Sequence, residues 1–148
     1  MIAIVATAMA AAVTPAGAAV DRGRPACDYC RMVFTRPQFG GEIRTADGRR
    51  LIFDAAECMA AYCLRQARTT DLVAVRAVRY DAPAARIDVH RAWFVRSDSL
   101  ESPMGLNLAA FATHRRAQAE AKRTRGRVLS WRSVVTLVDT TWFRKPGP

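Results

Sequence analysis

All four cysteines of this sequence, Cys27, Cys30, Cys58 and Cys63, lie in its first half. Cysteines so placed link distant parts of a chain through disulfides or through a shared metal ion, and in an exported protein an even number first suggests disulfides. Cys27 and Cys30 form a C-x-x-C pair, a spacing that lets two thiolates converge on one ion. The cysteine pattern therefore leaves both a metal site and a disulfide framework open.

The N-terminal segment has the composition of an export signal. Residues 2–20 are apolar, rich in alanine and without charge, and Ala16 and Ala18 give an A-x-A-like arrangement of small residues. We predict a cleaved signal peptide over residues 1–19 and a charged linker over residues 20–26. Further on, no apolar run approaches the roughly 20 residues of a membrane span, so we expect a periplasmic protein without membrane contact after cleavage.

The formal net charge is +10, and it comes almost wholly from arginine. Such a charge suggests nucleic acid as a partner. However, the densest basic segment, residues 114–127, lacks the interleaved aromatic side chains that stack on bases. We therefore predict no nucleic-acid binding and interpret this segment as a solvated helix face, with a docking surface for an acidic partner as the alternative.

The rest of the chain predicts an α+β fold of two β-β-α-β-like halves, over residues 27–83 and 84–145. In the first half we predict strands at 39–45, 49–53 and 72–80, a turn at 46–48 and a helix at 55–66. Asp54 is predicted to cap that helix, with Glu57 at the reciprocal capping-box position. In the second half we predict strands at 92–95, 106–111 and 128–131, a helix at 113–125 that Gly126 ends, and a last helix at 134–143.

Methionine accompanies cysteine at several points. Met32 follows Cys30 by two residues, Met59 follows Cys58 directly, and Met104 lies in a Pro-Met-Gly loop. Thioethers are good ligands for Cu(I) and poor ligands for Zn(II), so the pattern favours copper. At the start of its helix, Cys58 is expected to have a lowered thiol pKa because of the helix dipole.

Three further residues are weaker candidates. Cys63 is interpreted as a small buried hydrophobic residue on an amphipathic helix. His90 and His114 each stand alone on their segments, and a lone histidine is more often structural or at the surface than a ligand. We rank all three below the other sulfur donors.

Four motifs occur in a characteristic order: C-D-Y-C-R-M from Cys27, F-D from Phe53 followed by C-M from Cys58, P-M-G around Met104, and A-F ending at Phe111. In this order they resemble the NosL family, the accessory proteins of nitrous oxide reductase. The resemblance extends from about residue 27 to residue 135. It implies two small β-β-α-β-like halves and the role of an exported Cu(I) chaperone for copper-site assembly.

By the position of each motif, the resemblance implies metal ligation by Cys30, Met32, Cys58 and Met104, to which the C-x-x-C spacing adds Cys27. One departure is Arg31, which stands where the family has glycine. If that glycine serves a positive φ angle, the loop of this chain should differ. The charged residues before Cys27 also do not form a lipobox, so we predict no lipidation there.

Three functions remain open. The first is non-enzymatic delivery of Cu(I) to a recipient copper enzyme, expected to be nitrous oxide reductase or a similar protein. The second is a structural Zn(II) module that uses all four cysteines and serves in protein docking. The third is a thiol-disulfide protein. No His-Cys dyad or other arrangement of a base and a nucleophile is recognisable in the sequence, so we expect no enzyme activity.

Overall fold

A computed structural model describes residues 24–66 and 71–144. The predicted signal peptide and residues 20–23 of the predicted linker lie outside these ranges. The strands are β1 (Gly41–Thr45), β2 (Arg50–Phe53), β3 (Leu72–Arg79), β4 (Ala82–Asp88), β5 (Trp93–Arg96), β6 (Leu108–Phe111) and β7 (Arg127–Leu129). The helices are α1 (Ala56–Gln66), α2 (His114–Thr124) and α3 (Trp131–Val138), and α3 continues into a π-helical turn, Asp139–Phe143.

The seven strands form one sheet with two antiparallel parts. In the first part β1 pairs with β2 and β3, and β3 also pairs with β4. In the second part β5 pairs with β6 and β7. The parts join where β3 and β6 run parallel, with Arg79 opposite Ala110 and the Tyr80 amide donating to the Ala110 carbonyl at 2.8 Å. Each part thus includes one β-β-α-β unit, and the predicted α+β fold class is confirmed.

The turn residues determine where the β1–β2 hairpin forms. Gly48 adopts φ +85°, a conformation that glycine reaches without a Cβ clash. The Gly48 amide donates to the Thr45 carbonyl at 3.0 Å, which closes the turn. The resulting register sets Gly41 opposite Phe53 and therefore determines where β2 ends and the chain turns towards α1.

Strand β4 was not predicted. It pairs with β3 from Arg76 opposite Asp88 to Arg79 opposite Ala82, with an irregularity near Arg79. Its sequence begins Ala-Pro-Ala-Ala, which lacks the β-branched residues typical of strands. The strand runs across the boundary drawn between residues 83 and 84. Pairing with β3 decides its conformation rather than its own propensity.

Helix α2 ends differently from the prediction. Arg125, not Gly126, takes the left-handed conformation, with φ 53°, and its amide bonds back to the Ala121 carbonyl. At the other end, the Thr113 side chain accepts a hydrogen bond from the Arg116 amide and caps the helix. The last helix also begins earlier than predicted, at Trp131, because Ser130 caps it.

Two buried clusters lie on opposite faces of the second part of the sheet. Phe94 and Leu108 belong to the larger cluster, which α1 and α3 cover, whereas Val95 and Phe111 belong to a smaller one, which α2 covers. Alternation of side chains along β5 and β6 produces this division. The larger cluster also contains residues of the first half, so both halves share one core. Within the described residues, no helix is long and apolar enough to cross a membrane.

Candidate metal centre

The C-x-x-C motif lies in a tight turn before β1. Ala26 and Val33 form an antiparallel bridge on either side of it, and the Cys27 amide donates to the Met32 carbonyl at 2.9 Å. The Arg31 amide donates to the Cys27 carbonyl, also at 2.9 Å. Arg31 itself has φ 65°. Arg31, at the position where the motif resemblance expects glycine, therefore takes a positive φ angle that glycine adopts more easily.

Asp28 fixes this turn to strand β2. Its amide donates to the Ile52 carbonyl at 2.8 Å, and its Oδ2 accepts from the Ile52 amide at 2.6 Å. These hydrogen bonds satisfy backbone groups on the free edge of β2. Because β2 leads directly through Asp54 into α1, they also bring the C-x-x-C turn next to the start of that helix.

Helix α1 approaches strand β1 closely because β1 begins with glycine. A Cβ atom at Gly41 would lie 2.4 Å from Sδ of Met59 and 2.5 Å from the Arg76 carbonyl oxygen. Met59 is fully buried there. The methionine that follows Cys58 thus packs against the sheet, and Cys58, on the adjacent part of the helix surface, faces the C-x-x-C turn.

Four donor groups meet between the turn and the helix: the thiols of Cys27, Cys30 and Cys58 and the carboxylate of Asp54. One ligand atom from each lies within 4.8 Å of every other. Cys27, Cys58 and Asp54 are buried, with at most 1% of their surface exposed, whereas Cys30 is partly exposed. The described residues thus provide three sulfur donors and one oxygen donor close together, and one of the thiols is partly exposed.

The thiols of this cluster differ in acidity. A hydrogen bond from Cys58 lowers the pKa of Cys27 to about 6, against the opposing effect of burial, and backbone amides of Cys30, Asp54 and Tyr29 add to the lowering. Burial raises the pKa of Cys30 to about 11. The Cys30 thiol donates weakly to Asp54, with Sγ 3.6 Å from Oδ2. Cys27 is therefore the most acidic of the three thiols.

The expected acidity of Cys58 is contradicted. Its hydrogen bond to Cys27 raises its pKa, as do burial and the negative charges of Cys27 and Asp54. A helix dipole is a partial charge, and the hydrogen bond, the burial and the neighbouring negative charges together outweigh it. Cys58 consequently acts as a hydrogen-bond donor in the metal-free cluster.

The other two predicted ligands are sulfur atoms of methionine. Met32 lies just after the turn and is 49% exposed. Met104, in the loop before β6, is partly buried and packs against the larger core cluster, which contains Cys27 and Cys58. The structure thus packs Met104 against the larger core cluster and leaves Met32 at the surface.

Cys63 does not join the thiol cluster. It is partly buried, packs against the core, and burial raises its pKa to about 11. His90 is exposed after β4, and His114 lies with its ring edge against Trp93, 4.5 Å between ring centroids. None of the three residues belongs to the cluster of Cys27, Cys30, Asp54 and Cys58. Cys63 is thereby removed from the four-cysteine zinc hypothesis.

Sequence reasoning missed Asp54 as a candidate ligand, because an aspartate before a helix is usually a cap. Its side chain instead lies in the cluster, where the Cys30 thiol donates to both of its oxygens. The sequence feature that could have identified Asp54 as a candidate ligand is the F-D pair itself. A fully buried aspartate at the end of a strand, close in sequence to a cysteine, requires a partner that compensates for the loss of water.

Fold and site together define a small α+β protein with a cysteine-rich candidate metal centre. A model of the NosL family matches residues 20–137, and the chain belongs to this family. The crystal structure of the copper chaperone NosL from Shewanella denitrificans is similar, with a TM-score of 0.62 and 18% sequence identity over 79% of this chain and 94% of that one. At this identity the match shows a common fold. No curated protein matches the chain.

Proposed function

We propose that this protein is an exported Cu(I) chaperone, which binds the ion through thiolates and passes it to a copper enzyme. One observation carries the proposal: three thiols lie within 4.8 Å of one another and of one carboxylate. Cu(I) is a soft ion that two or three sulfur ligands satisfy, so Cys27, Cys30 and Cys58 suffice for it. Membership in NosL and the similarity to a protein named a copper chaperone support the same function.

The different exposures of the ligands suggest how the ion is exchanged. Cys27 and Cys58 have no exposed surface, so a partner's sulfur reaches the ion first on the side of the partly exposed Cys30. Met32, at 49% exposure, offers a weak thioether ligand on the same turn. Transfer then proceeds by replacing one ligand at a time. Such exchange needs no chemical turnover, and the proposed function is not enzymatic.

Met104 is a further sulfur donor that we propose. It packs against the larger core cluster, to which Cys27 and Cys58 also belong, and a thioether ligand favours Cu(I) over Zn(II). For the recipient we propose nitrous oxide reductase or a similar copper enzyme, since the motif order resembles accessory proteins of that enzyme. The predicted signal peptide supports a periplasmic location.

Asp54 favours a second candidate function, the binding of Zn(II). Zinc prefers four ligands in a tetrahedron and accepts carboxylate oxygen, and Cys27, Cys30, Cys58 and Asp54 form such a set. This set replaces the four-cysteine site with one that lacks Cys63. A structural zinc module of this composition would have no use for Met104.

The test is an anaerobic titration of the reduced full-length protein with Cu(I) and, separately, Zn(II) against competing chelators. Wild type is compared with Cys30→Ser and Met104→Ala, and Cys63→Ala serves as a matched control because Cys63 lies outside the cluster. Tight Cu(I) binding that Cys30→Ser and Met104→Ala weaken, and Cys63→Ala does not, supports the chaperone. Zn(II) binding that is indifferent to Met104 supports the zinc module instead. Binding of neither ion would overturn both and favour a thiol-disulfide protein.

A further inference from the structure

Met104 lies at the tip of a closed loop between Ser102 and Asn107. The Ser102 amide donates to Oδ1 of Asn107 at 3.1 Å, and the Asn107 amide donates to Oγ of Ser102 at 2.9 Å. Gly105 and Asn107 take positive φ angles of 81° and 59°. The loop is thus held by its own hydrogen bonds, so the position of Met104 depends on what fixes the loop to the rest of the molecule.

Glu57 fixes this loop to helix α1. Its Oε1 accepts a short hydrogen bond from the Ser102 hydroxyl and a second one from the Leu106 amide, at 3.1 Å. These two donors lie on either side of Met104 in the sequence. Glu57 precedes Cys58 directly, so one residue of α1 contributes a thiol to the cluster and the residue before it binds the methionine loop. The capping-box role predicted for Glu57 is replaced by this longer-range contact.

The burial of Glu57 is unfavourable for the free energy of folding. The side chain has no exposed surface, and Oε2 has no hydrogen-bond partner among the described residues. A buried carboxylate with an unsatisfied oxygen destabilises a fold relative to an apolar side chain of similar volume. A leucine would fill the same space, but it would not accept hydrogen bonds from the loop. The retained carboxylate therefore points to a need for a defined loop position.

We propose that Glu57 is a positioning residue, which holds the Met104 thioether against the thiol cluster so that Met104 serves as a ligand to the bound Cu(I). This inference rests on the proposed function. Glu57 acts through Ser102 and Leu106 and does not touch the ion. Residues that orient metal ligands through hydrogen bonds commonly change metal affinity by about tenfold to a hundredfold when they are replaced.

The test compares Glu57→Leu and Glu57→Gln in the full-length reduced protein. Glu57→Leu fills the space but accepts no hydrogen bond, whereas Glu57→Gln keeps an oxygen for both donors. Glu101→Leu is the matched control, because Glu101 lies in the same part of the chain but is exposed and paired with Arg36 at 2.9 Å. For each variant we would measure the Cu(I) affinity, alone and combined with Met104→Ala. We would also measure the hydrogen-exchange protection of the Leu106 amide in the metal-free protein.

We expect Glu57→Leu to lower the Cu(I) affinity about tenfold or more, as Met104→Ala does, with no further loss when the two are combined. Leu106 loses its amide protection in Glu57→Leu and keeps it in Glu57→Gln and Glu101→Leu. A Glu57→Leu protein that binds Cu(I) as wild type does would overturn the inference and leave the thiol site intact. The inference would also be overturned if the losses of Cu(I) affinity from Glu57→Leu and Met104→Ala added fully in the double variant, because Glu57 would then act independently of Met104.

Failure of the proposed function gives a different result. Wild type would then bind no Cu(I), and the inference about metal positioning would be wrong with it. The Leu106 protection still reports whether Glu57 holds the loop, because that measurement needs no metal. A Glu57→Leu protein that does not fold is recognised by its unfolding curve, and Ser102→Ala, which removes one of the two donors, then takes its place with an expected smaller loss of Cu(I) affinity.

Discussion

The Sγ atom of Cys30 lies 3.6 Å from Oδ2 and 3.7 Å from Oδ1 of Asp54, although 24 positions separate the two residues in the sequence. A carboxylate beside a partly exposed thiol gives the cluster a hard donor among soft ones. Which metal the site prefers then depends on whether this oxygen takes part in binding. The two candidate functions differ in their dependence on this one residue.

Asp54→Asn should reduce Zn(II) affinity more than Cu(I) affinity. Zinc loses its fourth ligand and its charge-neutralising oxygen, a loss of about tenfold or more, while Cu(I) keeps its thiolates. Chelator competition under anaerobic conditions measures both constants. Asp98→Asn, a change on an exposed loop, is the control. Equal losses for both metals would mean that Asp54 ligates each of them or supports the whole cluster.

Cys63→Ala should leave the number of bound Cu(I) ions and their affinity unchanged, because Cys63 packs against the core away from the ligand set. The free energy of unfolding should fall by about 1 kcal/mol or less, since a small, partly buried side chain loses one atom. Cys30→Ser should instead weaken Cu(I) binding, with little change in the free energy of unfolding. Weakened binding in Cys63→Ala would show that the cluster includes a fourth thiol.

Arg31→Gly should stabilise the metal-free protein. Arg31 holds φ 65°, where a side chain with a Cβ is strained and glycine is not, so we expect an increase of up to about 1 kcal/mol in the free energy of unfolding. Urea unfolding measures the change. Arg44→Gly, an exposed position within strand β1, should destabilise by a similar amount, because glycine weakens a strand interior. An unchanged or lowered stability in Arg31→Gly would mean that contacts of the arginine side chain outweigh the backbone strain.

Export should remove residues 1–19 and leave Cys27 without lipid. Intact-mass measurement of the protein recovered from the periplasm of an expressing bacterium should match a chain that begins at Val20. Recovery from the membrane fraction with a mass increase on Cys27 would contradict both parts of this prediction. Recovery of the uncleaved chain in the cytoplasm would contradict export.

Much of the fold and part of the site followed from local patterns. The Asp47-Gly48 turn, the alanine-rich helix after Asp54 and the alternation around β1 are properties of short segments, and these elements occur where we predicted them. The C-x-x-C spacing likewise identified Cys27 and Cys30 as neighbours, because only three bonds of the Cα trace separate them. The order of the four motifs was enough to suggest the NosL family, which the family match confirmed.

Tertiary structure alone decided the remaining features, and each of them depends on groups far apart in the sequence. Strand β4 forms through its pairing with β3. Asp54, predicted as a helix cap, belongs to the thiol cluster, and Glu57 binds a loop 45 positions away. The pKa of Cys58 is raised rather than lowered for the same reason: its hydrogen bond to Cys27, its burial and the neighbouring negative charges outweigh the local helix dipole. Local sequence determines which conformations a segment prefers. Burial and charge, which only the folded chain defines, determine which polar groups must find each other.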